Sequence, residues 1–166
     1  PVMVLGAPGF AMDTIAKAMA SGAPNAAATI FYSEKGSCVG VASMILNDPK
    51  LTGEVVYYDS NGTANRCTLD EPHPADINLS ALFAESCAGQ NELPANVQLP
   101  AGVQDFLGPV NPVMLAAPAT SNERVISAEA AYKVYGFEQS EVEPWTDENY
   151  IFRRTASSGN QQTVAR

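Results

Sequence analysis

The sequence predicts an α/β fold built around a parallel sheet, and three observations carry that expectation. Two short apolar runs each end in a turn rich in Gly or Ser, and each turn leads into a stretch with helical apolar spacing. Later, an Asn-Gly pair between two β-rich runs marks a hairpin. Hydrophobic residues make up 46% of the 166 positions against 16% charged, which is globular composition with enough apolar mass for one large domain or two small lobes.

Val2-Met3-Val4-Leu5 reads as a buried strand that stops at Gly6-Ala7-Pro8-Gly9-Phe10. Met12, Ile15, Ala16 and Met19 then repeat at i, i+3, i+4, i+7, an amphipathic helix closed by Ser21-Gly22. Ala28 to Tyr32 is a second strand, and Ser37 is placed to cap a second helix carrying Val39, Val41, Ala42, Ile45 and Leu46. This strand–helix–strand–helix order implies a parallel sheet whose loops emerge at one edge, so Gly9, Phe10 and Ser37 are expected to share a crevice beyond the strands' carboxyl ends.

Residues 54–58 and 63–69 flank Asp59-Ser60-Asn61-Gly62 and form the expected hairpin, an insertion on the α/β framework. Asn61-Gly62-Thr63 also fits a glycosylation acceptor, with the turn as the favoured reading. Residues 70–100 are rich in turn formers, with a short strand expected near 75–79 and a helix capped by Ser80 running through Leu82, Phe83 and Cys87. Phe106 to Pro112 reads as a crossing segment, Val113 to Pro118 as a new apolar strand, and Ser127 to Gly136 as a capped helix. Tyr150-Ile151-Phe152 reads as a buried strand that Arg153-Arg154 closes.

The chemically suggestive stretch comes directly after that strand. Arg154 offers a planar fork of donors, and Ser157, Ser158, Gly159 and Asn160 form a hydroxyl- and amide-rich turn before a helix start. Such a turn suits an anion, because a helix N-terminus carries roughly half a positive charge. The competing reading is a basic loop with a capping serine.

Charge narrows the options. Nine Lys and Arg against 18 Asp and Glu give a formal net charge of −9. That balance argues against nucleic acid and anionic membranes as partners, and it repels a small anion at long range, so an anion site must rely on short, directed hydrogen bonds. Low charge with abundant Asn, Ser, Thr and Pro points to an exported protein, periplasmic or cell-surface. Of Cys38, Cys67 and Cys87, none has metal-like spacing; Cys67 with Cys87 is the preferred disulfide, since both flank one loop-rich stretch. Cys38 reads as a reactive thiol at a helix start, a disulfide half or a small buried residue.

Three motifs in order resemble the phosphate-binding branch of the type II periplasmic solute-binding proteins of ABC importers. Gly6-Ala7-Pro8-Gly9-Phe10 is similar to that branch's first turn, Lys35 to Val41 to its Gly-Ser-rich helix start, and Arg153 to Asn160 to its arginine-containing anion loop. Gly108 to Pro118 resembles the segment crossing into the second lobe, and Tyr132 to Trp145 the helix and tryptophan before the loop. The resemblance implies a first α/β lobe over 1–107 with the inserted hairpin, a crossing segment over 108–112 and a partial second lobe over 113–166, each lobe with a mixed sheet. It implies an oxyanion ligand, most of all phosphate, delivered to the membrane subunits of an ABC transporter without a cofactor. Gly9, Phe10 and Ser37 would serve from the first lobe, and Arg154, Ser157, Ser158, Gly159 and Asn160 from the second.

The chain departs from the family pattern at two carboxylates. Ala156 and, approximately, Ala81 stand where the family keeps aspartates that accept a hydrogen from protonated phosphate, the device that separates phosphate from sulfate. The chain also reads as an N-terminal fragment of such a protein, with an incomplete second lobe whose apolar edges would favour association with another chain or copy.

Two other function classes stay in view. An enzyme is disfavoured: Ser37, Ser157 and Ser158 are candidate nucleophiles, but no Gly-x-Ser-x-Gly elbow occurs and His73 lies in a rigid Pro-His-Pro loop. The alternative is a surface interaction domain that keeps the fold and has lost ligand selectivity. Phe10 and Trp145 read either as cleft walls or, for Trp145 above all, as core, and the acidic residues 138–148 as a solvated loop in preference to a weak cation site.

Overall fold

The structure is a computed structural model that describes residues 1–6, 9–22, 28–108, 112–137, 141–155 and 158–164. Most of the expected crossing segment, residues 109–111, lies outside the described residues. The described chain is an α/β arrangement with one mixed sheet of five strands, ordered β4-β3-β2-β1-β5, and four α-helices. The strands are β1 Val2–Gly6, β2 Ile30–Glu34, β3 Leu51–Tyr58, β4 Ala64–His73 and β5 Ile77–Leu79. The helices are α1 Gly9–Ala20, α2 Ser37–Leu46, α3 Ala128–Phe137 and α4 Gly159–Val164.

Side-chain alternation along the strands explains how the layers assemble. Val4, Ile30 and Tyr32 face one side of the sheet and close over Met12 and Ala16 of α1. Met3, Leu5 and Phe31 face the other side, where they pack with Val39 of α2 and with Leu51 and Val55 of β3. A helix on each face is what a parallel core requires, because β1 and β2 are then buried on both sides. Leu5 and Leu51 are each 1% exposed, and burying one such side chain contributes about 2–3 kcal/mol. Gly40 lets α2 approach the sheet: a Cβ there would stand 2.8 Å from the Leu5 carbonyl oxygen and would also collide with the Asn78 side chain.

The connection through α1 carries β2 to one side of β1, while β5 joins on the other side. All three strands run parallel, and Gly6 is in register with both Glu34 and Leu79. Their carboxyl ends therefore stop on one line, at the point where the winding changes direction, the usual place for a crevice in such sheets. β3 returns antiparallel to β2, and β4 antiparallel to β3, through the expected turn at Asn61-Gly62. Gly62 has φ 75° and Asp59 caps the turn by accepting from the N–H groups of Asn61 and Thr63, the Asx chemistry that this sequence announces.

Several expectations are corrected. Cys38 is bonded to Cys87, with Cα atoms 5.2 Å apart, and Cys67 is a free thiol, so the pairing of Cys67 with Cys87 does not form. Packing explains the change: Cys67 stands on β4 opposite Val55 and packs on the cluster of Leu5, Leu51 and Val55 against the sheet, whereas Cys38 and Cys87 lie in the separate cluster of Val41, Leu93 and Val97. The helix expected from Ser80 shrinks to a 3₁₀ turn over Ala84–Cys87, because Ser80 commits its hydroxyl to a local turn with Leu82. Residues 113–118 form no strand, and Met114 is 82% exposed. Tyr150-Ile151-Phe152 is not a buried strand either: a 3₁₀ turn spans Glu148–Tyr150 and Phe152 is 84% exposed. Apolar runs this short become strands only where a sheet edge receives them, and the described sheet ends at β4 and β5. The helix expected at 127–136 does form, and Ser127 caps it by accepting from the N–H of Ala130.

Candidate functional site

The site begins where α2 begins. Gly36 precedes the helix at φ 106°, a conformation that glycine adopts without strain, and no side chain at that position caps α2. Ser37 is the first helical residue in place of the expected cap, and at 1% exposure its hydroxyl is committed inward. Its Oγ accepts the Ala81 N–H at 3.2 Å, which ties the start of α2 to the chain leaving β5. The Cys38–Cys87 disulfide fastens the next residue of α2 to the 3₁₀ turn that follows. A helix start leaves its first N–H groups without intrahelical partners, so this corner is polar and positive in character.

The second half of the predicted site arrives at the same corner. Gly159, the first residue of α4, is buried against Ser37 and Leu82; a Cβ on it would lie 2.7 Å from both Ser37 Oγ and Leu82 Cδ2. Ser158 is 8% exposed, with its N–H donated to the Thr155 carbonyl at 2.9 Å and its carbonyl accepting from Gln162. Gln161 Nε2 donates to the Tyr135 carbonyl at 2.8 Å and holds α4 to α3. Ser37, Ser158 and Gly159 thus meet around one helix junction. Asn160, the second residue of α4, is exposed, as is Arg154 four positions before Ser158 in the chain, and Ser157 and Ala156 lie outside the described residues.

The first turn goes elsewhere. Gly9 and Phe10 open α1, and Phe10 is 69% exposed. The Glu34 carboxylate lies against Gly9, so closely that any side chain there would collide with it. An internal carboxylate therefore sits at the start of α1, where a helix dipole stabilises negative charge. Gly9 and Phe10 line a cleft of about 860 Å³ with Asp13, Tyr32, Glu34, Glu54 and Arg66. The expected crevice shared by Gly9, Phe10 and Ser37 is divided: all three leave the same sheet edge, but Ser37 meets Ala81 and Gly159 and is not among the residues that line this cleft.

Electrostatics reinforce the division. Tyr32 donates its hydroxyl hydrogen to Asp13 Oδ1, and burial first, then that carboxylate, push the phenol above its ordinary range. Tyr58 is raised by the same two causes in the same order. The Arg66 guanidinium in the cleft wall donates to Glu54.

Sequence reasoning misses Leu82 and Glu34 as parts of these two sites, and it singles out Ala81 only as a position where the resembling family keeps an aspartate, not for the backbone N–H it gives to Ser37. Glu34 has a local signal, since it ends a strand directly beneath a helix start. Ala81 contributes through its backbone, which leaves no mark in residue type.

Among the described residues, no helix is long and apolar enough to cross a membrane. Compared with protein-family models, curated proteins and solved structures, the chain matches none.

Proposed function

We propose that this chain is an extracytoplasmic solute-binding domain of the type II periplasmic class that takes an oxyanion, with phosphate the leading candidate, for transfer to the membrane subunits of an ABC importer. The observation that carries the reading is the packing of Gly159 on Ser37. Two motifs read separately as anion-binding, one at the start of α2 and one at the start of α4, lie together at the carboxyl edge of three parallel strands. The α2 terminus supplies amide donors and a partial positive charge, and Arg154 stands exposed nearby in sequence as a forked donor. The Cys38–Cys87 disulfide agrees with an oxidising compartment. Ligand access in this reading requires α4 to withdraw from α2, since Gly159 and Ser37 are in contact. Binding is the whole reaction, with no catalytic step.

A second reading, a surface interaction domain that keeps the fold without the ligand, is favoured by Glu34. Its carboxylate covers Gly9 at the first turn, where the solute-binding reading wants an anion. Calorimetric titration of the protein with phosphate, sulfate and arsenate tests the two. Saturable heat from at least one oxyanion, lost in Arg154→Ala, supports the binding protein; no heat from any of them at millimolar concentration supports the interaction domain.

A further inference from the structure

We infer that this chain forms a two-fold dimer by exchanging a strand, with residues 113–117 of each copy pairing along the outer edge of β5 in the other. A single copy leaves surface, segment and edge uncovered, and a second copy covers all three. The accessible surface is 10758 Å² for 17.5 kDa, whereas a compact monomer of that mass exposes about 7,900 Å². The difference is well above the ~800 Å² that each partner gives to a standard interface. Among the described residues, the large apolar side chains at 79% exposure or more are Phe106, Leu107, Met114, Val125, Tyr150 and Phe152, so the excess apolar surface belongs to the later half of the chain.

The segment and the edge suit one another. Val113 to Ala117 is an apolar run between Pro112 and Pro118, exposed throughout, and among the described residues no hydrogen bond engages its main chain. β5 ends the sheet and, among the described residues, pairs with β1 alone, so the N–H and C=O groups of its outer side are open. Leu79 of β5 packs on the cluster under α1, while Asn78 turns to Gly40 of α2, and alternation therefore puts Ile77 on the α1 side. Ile77 is 51% exposed there because the sheet stops, and an added strand covers it with Val113 and Leu115 through cross-strand apolar pairs. The occupant is a second copy because one chain carries both the unreceived strand and the open edge, so a two-fold axis satisfies each twice and closes the assembly. Charge permits the contact: two copies at net charge −9 repel, yet residues 106–122 and β5 carry no Asp, Glu, Lys or Arg.

The test is sedimentation velocity of the full chain from low to high micromolar concentration, for the parent and two variants. The expected result is a monomer–dimer equilibrium that Ile77→Lys, which puts a charge on the open edge, weakens at least about tenfold. Met114→Pro combined with Leu115→Pro removes an N–H on each side of the segment and is expected to weaken it as much. Both variants are expected to keep the parent's circular dichroism, because the altered side chains are exposed. An equal mixture of the two is expected to regain a heterodimer weaker than the parent dimer, since one intact segment then meets one intact edge; unspecific apolar association gives no such recovery. Arg154→Ala is expected to associate like the parent, so this result and the phosphate result are read separately. The inference is overturned by a parent that stays monomeric over the whole range, by a dimer that survives both variants, by growth beyond the dimer, or by a mixture that associates no better than either variant alone.

Discussion

Gly159 packs directly on Ser37, with only the hydrogen of its α-carbon between the backbone of α4 and the first turn of α2. A side chain at 159 must displace both the Ser37 hydroxyl, which holds the Ala81 N–H, and Leu82. Gly159→Val is therefore expected to cost about 1–3 kcal/mol by overpacking. The loss is expected to concentrate in α4, visible as faster amide exchange at residues 159–164 while β1 and β2 keep their protection.

The disulfide is the strongest single covalent constraint on that corner. Cys38 and Cys87 are separated by 49 positions, and closing a loop of that length contributes about 4 kcal/mol in the chain-entropy view. Cys38→Ser with Cys87→Ser is expected to lower stability by that order, measured by denaturant unfolding. Peptide mapping without reduction is expected to recover a Cys38–Cys87 cross-link and an alkylated Cys67; a Cys67–Cys87 peptide would contradict the packing described here.

The hairpin turn gives a pH prediction. The Thr63 N–H above all, opposed by partial burial and joined by the Asn61 N–H and the Asn65 side chain, holds the Asp59 carboxyl below its ordinary range. A carboxyl depressed on folding contributes stability that is present above its unfolded pKa, about 3.9, and is lost as pH falls through the folded value. Asp59→Ala is expected to lower the melting temperature at neutral pH and to flatten its decline below about pH 4. Parallel melting curves for the variant and the parent across that range would show the site to be inert.

Tyr32 gives the opposite sign. Its phenol is raised by burial and by Asp13, so the folded state holds the proton more tightly than the unfolded chain does. That contribution is complete below the unfolded value of about 10 and declines as pH rises beyond it. In an alkaline absorbance titration, Tyr32 and Tyr58 are expected to ionise later than the other tyrosines, and Tyr32→Phe is expected to shrink that late step at a cost of about 1 kcal/mol.

The first half of the fold is legible because its signals are local. The apolar run Val2 to Leu5, helical spacing from Met12 to Met19 and Asn61-Gly62 each specify their own element, and β1, α1, β3 and β4 form where those signals lie. The later half depends on partners that composition does not name. Val113 to Pro118 and Tyr150 to Phe152 have strand-like content, yet no described strand receives them. The cysteine pairing departs from expectation for the same reason, since it is decided by which packed cluster each residue joins. Within the site, the meeting of Ser37 with Ser158-Gly159 is expected from motif order, whereas Glu34 at the first turn and the Ala81 amide are products of register between β1, β2 and β5.

The central claim is that the α2–α4 junction binds an oxyanion, and Arg154 is the residue to test it with, because it is exposed and its removal leaves the described core untouched. The decisive measurement is isothermal titration of parent and Arg154→Ala with phosphate. Saturable binding in the parent, weakened at least about tenfold in the variant as expected for a lost charge-assisted contact, is the predicted result. Equal affinity in both proteins, or no heat from either at millimolar phosphate, contradicts the claim.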